Sequence, residues 1–72
     1  MYAYSKQLRF QEHTRRYSIA ATKDGWEVRE ELDSQLVRQV HYQDWHRVER
    51  AEQSFTVKLR ELKAGGWSEI GN

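Results

Sequence analysis

Seventy-two residues with a formal net charge of +1 make one small domain, without space for a catalytic domain beside a regulatory one. The sequence has no cysteine, which excludes disulfides, Cys-ligated zinc, iron–sulfur clusters and thiol chemistry and fits a reducing, cytoplasmic setting. Mean hydropathy is −1.03, yet three Trp, four Tyr and two Phe supply the anchors of a folded core.

The N-terminal stretch MYAYSKQLRFQEH has no apolar h-region, so no signal peptide is expected, and no apolar run is long enough to span a membrane. Basic residues lean to the N-terminal third: residues 1–25 hold Lys6, Arg9, Arg15, Arg16 and Lys23 against Glu12 and Asp24.

The first 42 residues alternate between polar and apolar, and the remainder repeat at helical spacing. A first strand carries Leu8 and Phe10 on its apolar side, with a turn expected at His13-Thr14 that sets Phe10 opposite Tyr17 and Leu8 opposite Ile19. Asp24-Gly25 is the strongest hairpin signal. Taken as the loop, it places Ala21 opposite Val28, Ile19 opposite Glu30 and Tyr17 opposite Leu32. A three-residue turn, Asp33-Ser34-Gln35, then aligns Leu32 with Leu36, Glu30 with Arg38, Val28 with Val40 and Trp26 with Tyr42.

From Asp44 the period changes. Trp45, Val48, Ala51, Glu52, Phe55, Leu59 and Leu62 fall in an arc of about 120° at 100° per residue. Asp44 is the expected N-cap and Gly65-Gly66 the stop, with Gly66 left-handed and Trp67 folding back on Leu62 as in a Schellman motif. The expected fold is therefore α+β, a four-stranded antiparallel β-meander (β-β-β-β-α) with one C-terminal helix packed across one face. Residues 5–67 form the domain, and residues 1–4 and 68–72 are expected to be flexible termini. A helix of about 20 residues is ~30 Å long, and seven-residue strands are ~23 Å. The helix must cross the sheet diagonally or overhang it, and an overhang would leave Leu59, Leu62 and Trp67 partly uncovered. With Val57 on the helix's solvent side, these residues are the candidate interface, and a second copy of the chain is a candidate occupant.

Catalytic constellations are not found. The serines sit in no nucleophile motif, Glu30 already has Arg38, and no glycine-rich loop precedes a helix. His41, His46 and Glu49 have no metal-site spacing. No cofactor, metal or small-molecule substrate is expected, and the chain is read as a non-enzyme. The outer sheet face should carry Arg9, Arg16, Arg29, Gln39 and His41, and arginines on an open sheet can contact nucleic-acid phosphates. The order of four meander strands and a helix resembles the repeat unit of Whirly-type and Pur-type single-strand-binding proteins. That resemblance of topology implies nucleic-acid binding and pairing of units. The functional expectation is a small non-catalytic interaction module, working with a protein partner or as a homodimer, with nucleic-acid binding through the open sheet face as the alternative.

Overall fold

In the computed structural model, which describes residues 3–70, four long strands form a meander. They are β1 (Ala3–Phe10), β2 (His13–Thr22), β3 (Gly25–Leu32) and β4 (Gln35–Tyr42). The helix α1 (Trp45–Ala64) follows, and then a short strand β5 (Ser68–Ile70). The sheet order is β4-β3-β2-β1-β5, and the pairings β1–β2, β2–β3, β3–β4 and β1–β5 are all antiparallel. The α+β fold matches the expected one, with a fifth strand added. Ala3 and Tyr4, placed in the terminus by the sequence reading, lie in β1, and Ser68–Ile70 lie in β5. Residues 1, 2, 71 and 72 lie outside the described residues.

The apolar face is the expected one, although all three hairpins depart from the expected pairing, the third only near its turn. Leu8, Tyr17, Ile19 and Val28 from the sheet and Val48, Phe55 and Leu59 from α1 form the buried core. Phe55 sits at its centre, with ring centroids 4.9 Å from Tyr17 and 6.2 Å from Tyr4. Between β2 and β3 the loop is Lys23-Asp24, with Thr22 opposite Gly25, Ala21 opposite Trp26 and Ile19 opposite Val28. This is a slip of two residues from the expected pairing, and because side chains alternate with period 2 it leaves every residue on its expected face. The cause is Gly25. A Cβ there would lie 2.3 Å from the Tyr42 carbonyl oxygen and 3.2 Å from Gln43 Cα. The glycine serves the close approach of the end of β4, so it belongs to the strand and not to the loop.

The β1–β2 turn is Gln11-Glu12, with Gln11 at φ 57°, so Phe10 pairs with His13 and Leu8 with Arg15. The expected His13-Thr14 turn is displaced by a contact distant in sequence. The Asp33 carboxylate accepts a hydrogen bond from the Thr14 amide at 2.9 Å and meets His13 Nδ1 at 3.0 Å. The Asp33 amide in turn donates to the Thr14 carbonyl at 2.8 Å, which draws both residues into β2.

The β3–β4 register agrees with expectation from Trp26–Tyr42 to Glu30–Arg38, then shifts, so that Glu31 faces Leu36 and Leu32 faces Gln35. The loop is Asp33-Ser34, both residues at positive φ (53° and 68°), as a two-residue hairpin demands. The residue that the sequence reading placed in the loop is absorbed as a β-bulge at Val37, which has no partner across the ladder.

The helix caps are as read. Asp44 accepts from the His46 amide at 3.0 Å. At the other end the Trp67 amide donates to Leu62 O at 3.0 Å and the Gly66 amide to Lys63 O at 3.1 Å, a complete Schellman motif with Gly66 at φ 108°. The strands are longer than expected. Strands of 8 to 10 residues reach up to ~33 Å, enough to underlie the helix. Leu59 is only 7% exposed, against expectation, while Leu62 and Trp67 pack against the core and stay partly uncovered as expected. Trp67 lies 5.6 Å from Phe10, with the Arg15 guanidinium 5.3 Å above its ring. Of the candidate interface, Val57 alone is exposed, at 50%.

The Asp33 clasp carries a pH signature. The hydrogen bond from the Thr14 amide, then that with His13, holds its carboxyl below the ordinary value of 3.8. A depressed pKa contributes stability that is present above the unfolded value and lost as pH falls through the folded one. Urea unfolding midpoints of the native chain should fall in this acid window, and Asp33→Asn, which keeps the turn geometry, should flatten that limb. An unchanged acid limb in the variant would remove Asp33 from the account.

Candidate functional site

Two polar surfaces flank the core. The first is the open face of the sheet, opposite the helix. Cross-strand pairing places Arg9, Arg16, Arg29, Gln39 and His41 there, as the alternation predicts. Arg9 faces Thr14 and Arg16 faces Gln7 and Glu31, while Arg29 faces Ser18 and Gln39. The three arginines thus descend diagonally across β1, β2 and β3, each one row from the next. Acidic neighbours share the face. Arg29 Nε lies 3.9 Å from Glu27, and Gln39 Nε2 donates to the same carboxylate at 2.7 Å. His41 Nε2 is 3.2 Å from Asp24 Oδ1 and 3.1 Å from the Thr22 hydroxyl. Arg9 Nε donates to the Gln11 carbonyl at 3.4 Å, so four of the five candidates are engaged by neighbouring groups. No described position on this face holds an aromatic side chain, so it offers no platform on which a base can stack.

The second surface was not singled out from the sequence. Alternation points Glu30 and Arg38 inward, on the helix side of the sheet, where β4 extends beyond the cover of α1. The helix turns Arg47, Arg50, Ala51, Ser54 and Lys58 toward that uncovered strip, and the space between is a groove of about 360 Å³. Its floor is apolar, from Val28 and Phe55, and its walls carry Arg38, Arg47, Arg50 and Lys58 against one acid, Glu30. The Glu30 carboxylate is mostly shielded and bridges the walls, with Oε1 3.3 Å from Lys58 Nζ and Oε2 3.4 Å from Arg38 Nη1. Among the described residues, the Arg47 and Arg50 side chains have no ion pair or hydrogen bond. Four cations around one carboxylate leave the groove at +3. Lys58 also borders a smaller hollow of about 240 Å³ with Arg15, Tyr17, Glu61 and Leu62.

On the opposite flank of α1, Lys6 and Lys63 are both committed. Glu69 of β5 accepts from Lys63 at 2.8 Å and from Lys6 at 3.2 Å, and these bonds hold its carboxyl below the ordinary range. That clasp fastens β5 to the helix end, and the hollow of about 380 Å³ on this flank, where Arg60 joins Lys6 and Lys63 against Glu69, keeps a surplus of two, one less than the groove.

Of the three histidines, His41 is bonded as above and His13 is held by Asp33. No group of three or more His, Asp or Glu side chains comes together to hold a metal ion among the described residues, and none of their helices is long and apolar enough to cross a membrane. No family model matches the sequence, and no curated protein and no solved structure matches the chain.

Proposed function

We propose that the chain is a small non-catalytic interaction module, acting in the cytoplasm, whose partner is anionic and seats in the groove between α1 and β4. The observation that carries this reading is the groove's charge: Arg38, Arg47, Arg50 and Lys58 surround one carboxylate, and two of the four have no counter-charge among the described residues. Clustered cations in a concave site focus the field on an incoming anion and raise its local concentration. The nucleic-acid reading of the sequence is kept in this form, moved from the sheet's arginine diagonal to the groove.

Amide NMR titration at low and moderate salt, with oligo(dT), a DNA duplex and polyglutamate, tests it. Shifts centred on Arg47, Arg50, Ser54 and Lys58 that fade with salt are expected. Shifts centred on Arg9, Arg16 and Arg29 would return function to the open sheet face, and no response to any polyanion would end the reading.

A homodimer is a second reading, supported by Leu36 and Val37, which stand 48% and 64% exposed on the edge strand β4. Sedimentation at ~100 μM should then show a dimer that Val37→Lys dissolves, and a monomer at that concentration would exclude it.

A further inference from the structure

We infer that the group the groove recognises is a phosphate, held between Arg47 and Arg50 on α1 and Arg38 on β4. This rests on the anionic-partner reading and narrows it. The place a carboxylate would take is already filled, because Glu30 spends one oxygen on Lys58 and the other on Arg38. The remaining donors stand on two walls. Arg47, Arg50 and Ser54 belong to the helix, and Arg38 and Tyr42 to the strand. A carboxylate is planar, with two oxygens that one arginine fork can saturate, whereas a phosphate directs three or four oxygens and can meet both walls at once.

Charge agrees with shape. The groove's surplus of three suits the roughly −1.5 to −2 of a phosphomonoester at neutral pH. Arginine supplies three of the four cations, the residue whose planar fork fits phosphate oxygens in pairs. Arg38 has spent one of its donors on Glu30 and keeps the rest for a ligand. A volume of about 360 Å³ falls in the range of small-molecule sites, at roughly 300–1,000 Å³. The phosphate can belong to a free phosphorylated metabolite or to a strand of nucleic acid, and both present the same oxygens to these arginines. Glu30 is the one repulsive charge beside the ligand, so its neutralisation has a predictable sign.

The test is an amide NMR titration of the full chain with inorganic phosphate, with adenosine monophosphate and with oligo(dT), set against succinate at matched ionic strength. Saturable shifts at Arg47, Arg50 and Ser54 are expected with the phosphates, with succinate at least tenfold weaker. Tighter binding of the monophosphate than of oligo(dT) per phosphate would point to a metabolite, and the reverse to a strand. Arg47→Gln with Arg50→Gln, both on the exposed helix surface, should weaken phosphate at least tenfold while resonances outside the groove stay in place. Glu30→Gln should tighten it several-fold, since the amide keeps hydrogen-bonding capacity and loses the charge. Equal responses to phosphate and succinate, or a response to polyglutamate with none to phosphate, would overturn the inference and leave the anionic-partner reading standing. Silence toward all of these anions would overturn both. Unchanged or weaker binding in Glu30→Gln would overturn the placement of the phosphate beside Glu30.

Discussion

Phe55→Ala should bring this domain close to unfolding at room temperature. Phe55 is 3% exposed and its ring is the contact through which α1 meets Tyr17 and Tyr4. Removing a buried phenyl group costs ~3–5 kcal/mol, partly as lost transfer energy and partly as the cavity left behind. A chain of this length holds roughly 4–11 kcal/mol in total. Urea titration followed by tryptophan fluorescence should show the midpoint falling sharply with the slope unchanged, because the same surface is exposed on unfolding. Phe55→Leu keeps most of the volume and should lose far less. A loss below about 1 kcal/mol for Phe55→Ala would mean that the helix is not seated on β2 through this ring.

Gly25→Ala should cost a further large increment, for the opposite reason. The new methyl carbon would lie 2.3 Å from the Tyr42 carbonyl oxygen, with Gln43 Cα at 3.2 Å. Both are backbone atoms and cannot rotate away, so the strand ends must part. Forced overpacking of this kind costs ~1–3 kcal/mol, and a clash against main chain sits at the upper end. Thermal unfolding by circular dichroism checks it. Relief comes only by lifting the end of β4, so the Trp26–Trp45 pair, whose centroids are 5.3 Å apart, should report the strain through altered fluorescence before unfolding begins. A variant as stable as the native chain would show that β3 and β4 do not approach so closely at Gly25.

The apolar face, the cap at Asp44 and the Schellman stop were legible because each depends on residues close in sequence. Alternation fixes which side of the sheet Tyr17, Ile19 and Val28 occupy whatever the loop length, since a slip of two preserves parity. The loops themselves were not legible. Asp24-Gly25 carries the expected turn signature, yet Gly25 is needed where β4 passes. His13-Thr14 is drawn into β2 by Asp33, twenty residues from His13. The groove was hidden for a related reason. Arg38 comes from a strand and Arg47, Arg50 and Lys58 from a helix, and nothing in either segment alone marks the cluster. A signal was available in part: Arg47, Ser54 and Lys58 flank the apolar stripe on one side, and the Glu30–Arg38 rung already pointed inward.

The meander has a consequence for how the chain assembles. β1, β2, β3 and β4 each lie beside their neighbours in sequence, joined by two-residue loops, and only β5 must travel back to pair with the first strand. Most strand contacts are therefore local, with small loop-closure cost, which favours fast folding for a sheet protein. The three hairpins can zip in any order, each leaving its apolar side bare until α1 arrives. β5, tied on by Glu69, closes the longest loop, and Glu69→Gln should leave the refolding rate alone while speeding unfolding in stopped-flow experiments.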